Sequence, residues 1–223
     1  MRLIRLFYEP YEVLSELRDA SWAPAFVACI ALSLLANFVV VKAIGTDVLM
    51  NRLPTDAKSK MAEPALLVAL CTSRTALMAV GLLVMSFVMW LVLNFRRSSV
   101  AETGAEARAR FGVVLAVCAY AAYAREAVRL IITLAAVSWH HFARVPLVYA
   151  DDIKTNAAAF LGPNAAGPLF RLARSLDALM FGFLALAIVG LWKTIPNLRL
   201  QRANEVVLVS WVIYVGLAVT LGR

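Results

Sequence analysis

Arg125, Glu126 and Arg129 stand in the run YAREAVRL, between FGVVLAVCAYAA and IITLAAVSW. Guanidinium and carboxylate groups at this spacing can hold one another, bind an anion, or form part of an ion path. Charge inside an apolar run is costly, so such residues face a partner or water and are functional candidates by default. Arg125 and Arg129 are four apart and share a helix face, and Glu126 is three residues from Arg129, so local pairing is open to them. Arg74 in SRT, and Arg174 and Asp177 in RSLDAL, are charged residues in similar settings. If facing helices bring them level, Asp177 and Glu126 accept from Arg125, Arg129, Arg174 or Arg74 in one ionic layer. Two other readings compete with this one: arginines that merely reach the interface, and a ligand or transport site. Bases outnumber acids in the layer, and an anionic lipid headgroup is expected to fill the remainder.

Other chemistry is thinly represented. His140 and His141 are neighbours, about 100° apart on a helix, and make a poor metal pair even with Asp151 and Asp152 nearby. Cys29, Cys71 and Cys118 are single and lie in apolar segments, as small buried hydrophobes do. Dinucleotide, phosphate-loop, nucleophile-elbow and zinc-protease motifs are absent from the sequence. Neither catalytic residue, metal nor cofactor is expected.

The positioning elements follow from composition. Of 223 residues, 62% are hydrophobic, with a formal charge of +8 and a mean hydropathy of +0.79. Soluble domains run near 45–50% apolar. The excess lies in long blocks with basic residues beside them, which points to a bilayer rather than nucleic acid. A spanning helix needs about 20 apolar residues, and five spans are expected over 23–44, 76–95, 111–132, 173–192 and 204–221. The block from Ala65 to Phe95 is too long for one upright span, so 65–71 reads as a lead-in with Arg74 at the interface. Ahead of the first span, Pro10 to Asp19 reads as an amphipathic helix on the membrane surface. Its apolar side is Tyr11, Val13, Leu14 and Leu17, with Glu9, Glu12, Glu16 and Arg18 wet. The N-terminus has no apolar signal core and is expected to be retained.

With the N-terminus cytoplasmic, inner segments carry Arg2, Arg5, Arg18, Arg96, Arg97, Arg108, Arg110, Lys193, Arg199 and Arg202. The outer ones carry Arg52, Lys58, Lys60, Arg144, Lys154 and Arg223. The excess inside sets the N-terminus in the cytoplasm and the C-terminus outside. Counted from Phe111, Arg125 and Arg129 fall in the outer quarter of the third span. Asp177 falls about 6 Å inside the fourth at 1.5 Å per residue.

Several segments resemble the Yip (Ypt/Rab-interacting protein) domain family in its bacterial form. They are FYEPYEVLSELRDASWAPAF, AEARARFGVVLAVCAYAAYAREAVRLI, IKTNAAAFLGPNAAGPLFRLARSLDALMFGFLALAIVGL and RANEVVLVSWVIYVGL. The resemblance covers nearly the whole chain through loose motifs, and it implies five spans with a cytoplasmic N-terminus. It implies a position the family also uses for Asp177, and nothing for the arginines. The family often has proline or glycine near Ala124–Arg125, so a kinked third helix is not carried over. Eukaryotic members are associated with Rab GTPases and vesicle traffic, a role not transferred to so compact a chain.

The expectation is an all-α polytopic membrane protein of the bacterial inner membrane. Residues 1–22 form a cytoplasmic amphipathic element and 23–223 a five-helix domain. It is expected to be a non-enzymatic scaffold or partner-binding module that meets the lipid bilayer, other membrane proteins or copies of itself. The alternative is a small transporter, channel or lipid-handling protein using the outer polar layer.

Overall fold

The structure is a computed structural model that describes residues 2–45, 48–49, 62–95, 109–142, 156–157, 170, 173 and 176–220. Among them the regular structure is helical. It comprises α1 (Arg2–Arg5), α2 (Pro10–Ser15) tightening into a 3₁₀ turn (Glu16–Asp19), α3 (Ala23–Ile44), α4 (Glu63–Phe95), α5 (Phe111–Phe142), α6 (Ala178–Thr194) and α7 (Leu200–Thr220). By length and composition α3, α4 from Pro64, and α5 are long and apolar enough to cross a membrane, and α6 is a shorter apolar helix.

The centre of the bundle is α5, which packs against α3, α4 and α6, while α7 bridges α4 and α6. Its sequence explains the place. Every residue from Val114 to Ala122 is buried, so the helix is covered on all sides there. Four of those nine are alanines (Ala116, Ala119, Ala121, Ala122), small enough for neighbours to approach closely.

The outer helices are apolar on both faces. On α4, Leu82, Met85, Met89 and Leu93 point inward, and Leu77, Val80, Leu83, Phe87 and Leu91 point outward. The same holds on α7, where Val206 and Val207 are buried and Val212, Ile213 and Leu217 exposed. Apolar surface on this scale is rare on a protein in water and is what a hydrocarbon solvent permits. The chain is therefore an α-helical membrane protein.

Several boundaries differ from the sequence expectation. The expected lead-in and second span form one unbroken helix from Glu63. Pro64 sits in its first turn, where a missing N–H costs nothing. The SRT stretch does not break it, because hydroxyls bond back onto the helix. Thr72 donates to the Val68 carbonyl at 2.7 Å, and Thr75 to that of Cys71 at 2.9 Å. At its far end α5 passes the expected boundary at 132 and reaches Phe142. The fourth helix starts at Ala178 rather than 173, because Asp177 is extended (φ −104°, ψ 132°) and caps it. The helix α7 begins at Leu200, not 204.

The N-terminal element also departs from expectation. Val13, Leu14 and Leu17 are fully buried, but Tyr11 is 58% exposed. At about 100° per residue the first three fall within one arc of roughly 100°, and Tyr11 lies on its flank. Rather than resting on its own, α2 is seated on α6. Thr194 Oγ1 donates to the Leu14 carbonyl at 2.8 Å, and Phe7 meets Tyr123 of α5 edge-on at 6.0 Å.

The charged side of this element is tied into a knot. Arg5 donates to Glu9 (2.9 Å), Glu12 (3.1 Å) and Glu16 (3.3 Å), and Arg2 to Glu16 (3.0 Å). The hydrogen bond from Arg2 is the main reason that the Glu16 carboxyl is held below its ordinary range. A depressed carboxyl contributes fully above its unfolded value, and the contribution is lost as pH falls through the lower folded one. Acidification below the ordinary glutamate value of about 4.3 should therefore loosen α1 and α2. A fluorophore on Tyr8→Cys, an exposed position, should show falling anisotropy there. Glu16→Gln should show the loosened value at pH 7 already; equal anisotropy in both proteins at all pH values would sink this account.

Candidate functional site: a buried arginine–glutamate cluster

A fully buried acid lies at the middle of α5. Glu126 has no exposed surface, and the two arginines on its own helix close over it. Arg125 donates to Oε1 through Nε (3.2 Å) and Nη2 (2.8 Å), and Arg129 Nη1 donates to Oε2 (3.0 Å). The spacing explains the geometry. Arg129 comes from the next turn at i+3, while Arg125 folds its long side chain round the helix to its neighbour.

The cluster is extended by other helices. Arg129 Nη2 donates to Asn37 Oδ1 of α3 at 3.1 Å, and Asn37 Nδ2 donates to Thr75 Oγ1 of α4 at 3.2 Å. Thr75 passes its own proton to the Cys71 carbonyl. A continuous polar chain thus runs from Arg125 to the α4 backbone and joins three helices. Asn37 is 1% and Thr75 5% exposed, so each needs the other's hydrogen bond to be buried at low cost.

The depth can be read from two helices. Asn37 lies seven residues before Ile44, about 10 Å from the C-terminal end of α3 at 1.5 Å per residue. On the opposite side Arg125 Nη1 approaches Met180 Sδ of α6 at 3.9 Å, and Met180 is the third residue of that helix. The cluster is midway along α5, and it lies toward the C-terminal end of α3 and the N-terminal end of α6.

The remaining expected members are placed elsewhere. The Asp177 carboxylate accepts from the Leu179 N–H at 3.0 Å as the N-cap of α6, and it makes no ion pair with a described residue. An N-capping aspartate is attracted by the positive end of the helix, so its charge is met locally. Arg74 is exposed on α4, one residue and about 100° from Thr75, and has no described acid partner. Arg174 lies outside the described residues. Asn37, Thr75 and Met180 were not among the sequence candidates. A signal existed for Asn37, the one amide in APAFVACIALSLLANFVVVKAI.

Arg125 also borders a cavity of about 90 Å³ between α4, α5, α6 and α7, lined by Met78, Gly81, Met85, Met180, Phe183 and Tyr214 among others. Toward its N-terminal end α5 packs closely among the described residues. Val117 and Gly190 are so close that a β-carbon on the glycine would stand 2.5 Å from Val117 Cγ1. Cys118 Sγ lies against Met89 Sδ at 3.5 Å.

Chemically the cluster can neutralise, hold an anion, or lock helices in register. Compared with family models, with curated proteins and with solved structures, the chain finds no match.

Proposed function

We propose that this chain is a five-span protein of the bacterial inner membrane, of the Yip type that its sequence resembles, acting as a non-enzymatic scaffold or partner-binding module. The observation that carries the reading is the close packing round the first half of the central helix. Among the described residues the central helix is covered on every side from Val114 to Ala122, and Val117 packs directly against Gly190. Solute transport needs a path, whereas a scaffold needs a rigid body with outward faces. The apolar outer faces of α4 and α7 suit lipid, other membrane proteins or a second copy of the chain.

A second reading, a small transporter or lipid-handling protein, draws on the cavity at Arg125. Proteoliposome flux separates the two, because the scaffold should carry no anion or proton current above empty vesicles. Photo-crosslinkers on Leu83 and Val212, both exposed, should instead capture a defined membrane protein in native membranes. Measurable flux together with no specific crosslink would refute the scaffold. The arrangement of the spans has its own check. A phosphatase reporter should be active when fused after Thr220 and silent when inserted in the 96–108 segment. The opposite pattern would overturn the orientation.

A further inference from the structure

The cluster holds two arginines against one glutamate, which leaves one positive charge without a described acid partner at membrane depth. The excess has a direction. Arg129 spends its two Nη groups on Glu126 and Asn37. Arg125 gives Nε and Nη2 to Glu126, but among the described residues its Nη1 meets only the sulfur of Met180, a weak acceptor at 3.9 Å. The Arg125 side chain keeps 28% of its surface exposed and borders the cavity described above.

Across that cavity stands Tyr214 of α7. Its hydroxyl makes no hydrogen bond with a described residue, although it points at Gly81 closely enough that a β-carbon there would lie 3.0 Å from it. A phenol brought into an apolar bundle usually finds a partner for its O–H. One turn earlier on α7, Trp211 Nε1 is buried without an acceptor among the described residues. The Tyr214 hydroxyl and a surplus cation border one small space. A buried charge is tolerated when it is paired, and the group missing here is an anion.

We propose that this cavity is a binding site for a single phosphate-type oxyanion, held between Arg125 Nη1 and the Tyr214 hydroxyl. The oxyanion supplies the negative charge that the cluster lacks and accepts from both donors. Its methionine and phenylalanine walls would sit against the glycerol and upper acyl carbons if the phosphate belongs to a lipid. An anionic phospholipid and free phosphate share the chemistry, and the experiment tells them apart. The site does not depend on the scaffold role, since occupancy is read from the purified protein alone.

The test is thermal unfolding of the protein in neutral detergent, titrated separately with phosphatidylglycerol, phosphatidylcholine and inorganic phosphate. Tyr214→Phe is the variant of choice, because it removes one hydroxyl and keeps the ring, whereas Arg125→Gln also strips Glu126 of a partner. Saturable stabilisation by phosphatidylglycerol but not by phosphatidylcholine, with apparent affinity about tenfold weaker in Tyr214→Phe, supports a lipid phosphate. The same loss with inorganic phosphate as the effective probe supports a free oxyanion. If no probe gives saturable stabilisation, or if Tyr214→Phe binds as tightly as the parent, the proposal is overturned.

Discussion

Replacing Glu126 with alanine is expected to destabilise the bundle by about 3–5 kcal/mol, the range for breaking a buried ion pair from one side. The substitution removes three charge-assisted hydrogen bonds and leaves two arginines without a described acid partner at mid-helix. The loss should fall almost entirely on the unpaired charges rather than on the missing side chain. Glu126→Leu combined with Arg125→Leu and Arg129→Leu should therefore recover most of the stability, because apolar groups of similar size can replace a buried ionic cluster at little cost. Reversible unfolding by dodecyl sulfate in mixed micelles provides the measurement. A single variant as stable as the parent, or a triple variant weaker than the single, would show that Glu126 is not the acceptor that offsets these charges.

The second large effect is expected at Gly190. A methyl group there would lie 2.5 Å from Val117 Cγ1 and 3.3 Å from Leu14 Cδ2, and Cβ-branched valine cannot swing its γ-carbon aside as a lysine tip would. Gly190→Ala should cost about 1–3 kcal/mol from overpacking. Gly182→Ala on the same helix has nothing within 4 Å and should be close to neutral. Val117→Ala in the Gly190→Ala background should restore part of the loss, since it removes the clashing atom. The same mixed-micelle unfolding distinguishes these outcomes, and equal stability of the 182 and 190 variants would remove the close approach from the account. Because Leu14 shares the contact, Gly190→Ala should also free the N-terminal element.

How far the sequence could be read depended on whether the cause was local. The helix α3 matches its expected bounds because its signals, Pro24 near the start and the apolar run to Ile44, are contained within it. Phe111 as the start of α5 was legible for the same reason. The start of α6 differs from the expected 173 because the capping signal in SLDAL, Asp before an apolar run, sets it, and the length needed to span a membrane does not. The continuity of α4 through SRT rests on hydroxyls turned back to carbonyls four residues earlier, and counting apolar residues is blind to that. Within the site, the pairing of Glu126 with Arg129 was legible as an i,i+3 spacing. Asn37 and Thr75 are 38 residues apart in sequence, and Arg129 is 92 from Asn37. Contacts at such separations depend on which helices become neighbours, and spacing within one helix carries no record of it.

The polar chain from Arg129 through Asn37 to Thr75 also bears on how the protein is made. Of the three helices long enough to cross, α5 is the least apolar, and a central arginine alone raises the insertion free energy by about 2.5–3.5 kcal/mol. A helix with two arginines and a glutamate is a poor candidate to partition into lipid by itself. Ribosomes read from the N-terminus, so α3 and α4 have already left the tunnel when α5 emerges. The Asn37 amide that receives Arg129, and the Thr75 hydroxyl that holds that amide, are thus in place before the arginine arrives. The direction of synthesis supplies the acceptors first and the costly donor last, and a permuted gene that placed α5 ahead of α3 would reverse that order while encoding the same final contacts.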